Sequence, residues 1–207
     1  MMGRTERKGG GSRGRRGAAA LFPPLLAAVL ALALPLLSSG CGSQAARYAR
    51  EARSAYIGAR AVLVQVKELP SRMELLLRGE EDAAALAPRA RAFVEEGRGL
   101  VSEAYAAFRT VQEKLNLLEG ENDKEFSPYG SRLAALVTLN VEVVNAYAEY
   151  LGFCNAILEG LPFREDPGKL MPALNGMDRT MKRAGELSGE IEKGEEEAEA
   201  LYRGLAG

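Results

Sequence analysis

The stretch Leu133–Leu158, LAALVTLNVEVVNAYAEYLGFCNAIL, decides the fold. Leu133, Val137, Asn140, Val144, Tyr147, Leu151, Cys154 and Leu158 recur at alternating steps of four and three, the seam of a packed helix. Beside it runs a second apolar row, Leu136, Leu139, Val143, Ala146, Tyr150, Phe153 and Ile157. Only Thr138, Glu142, Asn145, Glu149 and Glu159 form a polar strip, so this helix is predicted to be the most buried element. Ser127-Pro128 supplies its start, with serine as cap and proline at the first helical position.

Upstream, a second row runs Ala90, Val94, Gly97, Val101, Ala104, Phe108, Val111, Leu115, Leu118. Pro88 suits the first turn of that helix, Gly97 and Gly99 weaken it locally, and the charged loop Glu119–Glu125 closes it. Further back, Ala45, Tyr48, Ala52, Ala55, Ala59, Val62, Val66 and Leu69 mark a first helix whose alanines admit a close neighbour. Pro70 interrupts it, and Ser71-Arg72-Met73-Glu74 has the form of a capping box opening a short helix that ends at Gly79. Gly79–Asp82 reads as a turn and Ala83–Ala87 as one more helical turn before Pro88.

Downstream, Asp166-Pro167 opens a last helix with the row Leu170, Leu174, Met177, Met181, Ala184, Leu187, Ile191, Gly194, Ala198, Leu201, Leu205. Two successive three-residue steps overwind that repeat locally, and Gly176, Gly185, Gly189 and Gly194 weaken it. No strand-type alternation competes, and the connections suit antiparallel neighbours. The expectation is an all-α fold over residues 44–207: an antiparallel up-down-up-down four-helix bundle with one short extra helix after the first.

The chain contains no histidine. That excludes Ser-His-Asp and Cys-His catalysis, histidine zinc sites, haem attachment through Cys-x-x-Cys-His and the Glu-x-x-His pairs of di-iron bundles. The seams place no Asp or Glu on a core face, so the protein is not expected to be an enzyme and no metal or cofactor is expected. Residues 1–40 carry six basic residues and one acid; the remaining 167 residues carry 21 and 27, a net charge of −6. An acidic body argues against nucleic-acid binding.

Residues 1–40 read as a leader. Arg4, Arg7, Lys8, Arg13, Arg15 and Arg16 precede the apolar run Gly17–Leu37, and small residues followed by Cys41 end it. The run is 21 residues long, about 31 Å as a helix, long enough to span a bilayer, although Pro23, Pro24 and Pro35 disfavour a straight permanent span. Leu37-Ser38-Ser39-Gly40-Cys41 resembles the lipobox of bacterial lipoproteins, with Ser38 standing where leucine is commonest. The resemblance covers about the first fifth of the chain. It implies cleavage between Gly40 and Cys41, a diacylglycerol on the Cys41 thiol as the one covalent lipid, and a tether over residues 41–43. It also implies a place on the outer side of the cytoplasmic membrane, or at an outer membrane where the cell has one. An uncleaved anchor or ordinary secretion are the other readings of the same residues.

Several side chains invite a functional reading. Arg47, Arg50 and Arg53 lie near the start of the first helix and could meet anionic headgroups. The blander reading pairs them with Glu192, Glu195, Glu196, Glu197 and Glu199, which an antiparallel bundle brings to the same end. Asn140 in an apolar seam fixes register or, with Tyr147 and Phe108, lines a pocket. Cys154 reads as an inert buried thiol. Glu119, Glu121, Asp123 and Glu125 lack EF-hand spacing, and Gly168-Lys169 lacks the earlier glycine and the following Ser or Thr of a phosphate loop. The functional expectation is a membrane-anchored, non-catalytic interaction or scaffold module that binds membrane lipid through its acylated cysteine and an envelope protein partner. A ligand-binding or sensory bundle reporting through a membrane partner is the alternative.

Overall fold

The computed structural model describes residues 43–78, 83–159, 168 and 170–206, all within the second of the two units into which the chain divides, residues 41–207. The elements are α1 (Gln44–Lys67), α2 (Leu69–Arg78), α3 (Ala83–Gly120), α4 (Ser127–Glu159) and α5 (Leu170–Ala206). The long helices α1, α3, α4 and α5 form an all-α four-helix bundle, with α2 as the short extra helix after the first. The expected Gly79–Asp82 turn and the Asp166-Pro167 cap lie outside the described residues.

Cross-helix contacts show the alternating direction of the chain. Lys114 on α3 meets Glu51 on α1 at 2.8 Å, Tyr105 on α3 donates to Asn145 on α4, and Arg183 on α5 meets Glu142 on α4 at 3.2 Å. The α1/α3, α3/α4 and α4/α5 pairs pack closely. The fourth seam differs: no Cα of α1 lies within 8 Å of one in α5. Those two helices meet only through long side chains.

Every residue of the expected α3 row and of the first α4 row is buried. The second α4 row is buried or half-buried throughout, and α4 holds more buried residues than any other helix. Gly97 sits in the α3 row because Leu151 of α4 presses there: a Cβ at that position would come within 2.8 Å of the leucine Cδ2.

Several expectations need correction. In α1 the buried row is Ala45, Ala49, Ala52, Tyr56, Ala59, Leu63 and Val66, so Tyr48, Ala55 and Val62 lie at its edge. Both rows are apolar and helical in period. The buried one carries Tyr56, whose hydroxyl finds partners inside, whereas Tyr48 accepts from Gln44 at the surface, 3.0 Å away. Second, α2 starts at Leu69 rather than Ser71, with Pro70 in its first turn, where a missing N–H costs nothing. Pro88 likewise lies inside α3, in its second turn, and forfeits only the bond to the Ala84 carbonyl.

Third, the first half of α5 turns Gly176, Thr180 and Ala184 inward, leaving Met177 and Met181 half-buried and Leu174 41% exposed. The ring of Phe153 on α4 covers Gly176 so closely that a methyl group there would overlap it. Bulk on α4 thus selects the small face of α5. Leu201, also expected inside, is 39% exposed. The α4 start differs by one residue: Ser127 is already helical, and its N–H donates to the Asp123 carbonyl at 3.0 Å.

Glycines in α5 provide a direct test of this packing. Gly189 has nothing within 4 Å of the place its Cβ would occupy. Gly189→Ala is expected to stabilise the protein by about 0.5–1 kcal/mol, since it only relieves the backbone entropy of glycine. Gly176→Ala is expected to destabilise it by about 1–3 kcal/mol through overpacking against Phe153. Urea midpoints followed by far-UV circular dichroism measure both.

Candidate functional site

Asn140 is 0% exposed in the middle of α4, so its amide must be satisfied by protein groups. Its Nδ2 donates to the Leu136 carbonyl at 2.7 Å and to the Tyr56 hydroxyl at 3.0 Å, and its Oδ1 accepts from Arg60 Nη1 at 3.3 Å. The Tyr56 hydroxyl in turn donates to Glu195 Oε1 at 2.7 Å, and Arg60 Nε reaches the same oxygen at 2.7 Å. Burial, and next the bond to the Glu195 carboxylate, push the Tyr56 phenol well above its ordinary range. It therefore remains a protonated donor across physiological pH.

This network occupies the middle of the α1/α5 seam. One turn toward the start of α1, Arg53 donates from Nε and Nη2 to both carboxylate oxygens of Glu199 at 3.0–3.1 Å. Its guanidinium lies 4.8 Å from the Tyr202 ring centroid, and Tyr202 packs on Tyr129 at 5.2 Å. The hydrogen bond from Arg53 is the main cause holding the Glu199 carboxyl below its ordinary value. At the other end of the seam, Lys67 Nζ donates to Ser188 Oγ at 2.9 Å. Burial, and then the nearby Arg60 charge, lower the Lys67 ammonium.

At the Arg53–Glu199 and Arg60–Glu195 pairs lies a cleft of about 320 Å³. Ile57, Tyr129, Leu133, Leu136 and Ala198 supply its apolar lining, with Arg53 and Arg60 on the α1 wall and Glu195 and Glu199 on the α5 wall. Ionised groups here are already paired and the phenol is held neutral, so the arrangement is suited to holding a molecule by shape and charge.

The structure distributes the expected site residues unevenly. Arg53 joins the acidic run, as do Arg60 through Glu195 and Arg132 of α4 through Glu197 at 2.6 Å. Arg47 instead pairs with Glu51 within α1 at 3.4 Å, and Arg50 donates to the Ala46 carbonyl at 3.3 Å. Of the proposed pocket residues, Phe108 is fully buried and packs edge-on to Tyr56, Tyr147 is buried, and Asn140 feeds the network below the cleft. Tyr56, Arg60 and Glu195 carry the site together with Arg53 and Glu199. Neither Tyr56 nor Arg60 was singled out from the sequence, although Arg53 and Arg60 lie seven residues apart on one helical face. Gly40 and Cys41 lie outside the described residues. Among the described residues, no group of three or more His, Cys, Asp or Glu could hold a metal ion, and no helix is long and apolar enough to cross a membrane.

Two measurements follow from these electrostatics. Because the Glu199 carboxyl lies below its ordinary value when folded, the Arg53–Glu199 bond contributes stability above the unfolded pKa and loses it as pH falls through the folded one. The stability gap between wild type and Arg53→Ala should therefore shrink steadily as pH falls below about 5; a gap that stays constant would show the pair to be energetically silent. Burial also raises the Cys154 thiol. Iodoacetamide at pH 8 should leave Cys154 unmodified in the folded protein, whatever happens at Cys41, and alkylate it fully once urea unfolds the bundle, as peptide mapping reads out.

Comparison of the chain with protein-family models, curated proteins and solved structures found no match.

Proposed function

We propose that this protein is a bacterial lipoprotein, anchored outside the cytoplasm by a diacylglycerol on Cys41, whose helical bundle is a non-catalytic interaction or scaffold module. The observation that carries the reading is the start of α1. Ser43 caps that helix, its Oγ accepting from the Ala46 N–H at 3.2 Å. With lipid on Cys41, Gly42 alone would separate anchor from cap, holding the start of α1 close to the bilayer. Arg47 and Arg50, both exposed at that end, would meet anionic headgroups at about 1 kcal/mol each. Arg53 is committed to Glu199 and belongs to the bundle.

Exposed leucines on α2 support an interaction role. Leu75 and Leu77 are 70% and 51% exposed, at the end of the bundle opposite the start of α1. In an anchored protein they would project away from the membrane toward an envelope partner. The α1/α5 cleft favours a second reading, a ligand-binding accessory bundle that reports through a membrane partner.

Intact mass of the membrane-extracted protein tests the anchor. A mature chain beginning at Cys41 and carrying acyl mass, with an unprocessed Cys41→Ala variant, is the expected result. An intact leader in the wild type would make Gly17–Leu37 a signal anchor, and cleavage without lipid would make the bundle an exported protein without this tether; either outcome removes the lipoprotein reading.

A further inference from the structure

The geometry points to the α1/α5 cleft as a binding site for a zwitterion that carries an apolar tail. This deepens the ligand-binding reading and is independent of the lipid anchor. Three seams of the bundle are closed by helix packing, and the fourth is spanned only by side chains. A molecule enters here by parting ion pairs, without prising helices from one another.

The walls have opposite sign. Arg53 and Arg60 stand on α1, and Glu199 and Glu195 face them on α5 at 3.0 and 2.7 Å. All four side chains are partly shielded from water, at 23–37% exposure, and they stand over the apolar lining of the cleft. An anionic group entering between them satisfies a guanidinium and strands a carboxylate. A cationic group does the reverse. Stranding a half-buried charge is the costly outcome in either case. A zwitterion re-pairs both, its negative group toward α1 and its positive group toward α5.

Below the charges the lining is apolar, and Ile57 remains 55% exposed at the lip, uncovered by the described residues. The volume of about 320 Å³ lies at the small end of the usual ligand-pocket range. The bond from Tyr56 to Glu195 holds that carboxylate in place from beneath. Two sources share the required chemistry: a free amino acid with a large apolar side chain, and a single-chain zwitterionic lipid.

Thermal unfolding of the full-length protein in amphipol, followed by circular dichroism, tests the inference. One arm compares L-phenylalanine with 3-phenylpropionate and phenethylamine, which each keep one of its charges. The other compares dodecylphosphocholine, below its micellar concentration, with dodecanoate and dodecylamine. At least one zwitterion should raise the melting temperature by about 5 °C or more near 100 times its Kd, and the arm that responds identifies the source. The shift should vanish in Ile57→Trp, an exposed position where a larger ring fills the mouth without disturbing the core. Glu199→Gln should erase the preference for the zwitterion over the singly charged anion. A shift that persists in Ile57→Trp overturns the site. Singly charged probes that match the zwitterion, with a shift dependent on Ile57, overturn the zwitterion and leave a ligand-binding cleft standing. No shift with any probe removes both.

Discussion

One buried amide constrains this bundle more than any other group. Asn140 lies in the most apolar helix, where an unsatisfied donor costs about 1–3 kcal/mol. Its own helix supplies only the Leu136 carbonyl, so the second proton must go to a neighbour. Tyr56 is that neighbour, and accepting from Asn140 turns α1 so that Tyr56 faces inward. The phenol's proton then needs an acceptor, which draws in Glu195 from α5, and the carboxylate needs Arg60. A single polar residue thus links three helices and determines what lines the seam between α1 and α5.

The same chain of requirements explains why that seam stays open. Tyrosine, arginine and glutamate are long, and they meet end to end across it. Helices joined in this way stand farther apart than helices joined through alanine or glycine. The contrast with α4/α5 is direct: there Gly176 receives Phe153 and Gly194 lies against Leu136, and the backbones approach closely. A cleft between α1 and α5 follows from side-chain length, with no need for missing mass in the core.

Periodicity made most of the architecture legible in the sequence. The rows of α3 and α4 match burial because each helix has one dominant apolar face and neighbours on both sides. In α1 the buried row keeps Ala45, Ala52, Ala59 and Val66 but takes Ala49, Tyr56 and Leu63 in place of their neighbours Tyr48, Ala55 and Val62, because alanine, tyrosine and an aliphatic side chain stand on both edges of the stripe. Only the partner of a hydroxyl separates them. The first half of α5 was misread for a different reason. Hydropathy ranks Leu174 and Met177 above Gly176, whereas packing against Phe153 ranks them the other way. The site was legible only in part. The acidic run and Arg53 were visible as complementary charges at one end, but Tyr56, Arg60 and the cleft depend on side-chain bonds across 80 or more residues, which no local pattern encodes.

Charge alone does not determine the register of α1 against α5. Arg53, Arg60 and Lys67 lie seven residues apart, as do Ser188 and Glu195, and Glu192 and Glu199. If α1 slipped by one heptad, Arg60 would meet Glu199 and Lys67 would meet Glu195, leaving the ion pairs across the α1/α5 seam in number unchanged; only Lys114 of α3 would lose Glu51, with Gly58 or Gln44 in its place. The apolar row would survive as well, since it repeats at the same interval. What does not survive is the Tyr56–Asn140 bond, because Leu63 or Ala49 would then face the amide. The repeat that makes the bundle easy to recognise also makes it ambiguous, and the buried bond to Tyr56, helped by the Lys114–Glu51 pair at the surface, resolves the ambiguity. Asn140 therefore matters less for the stability it adds than for the misaligned bundles it makes unfavourable.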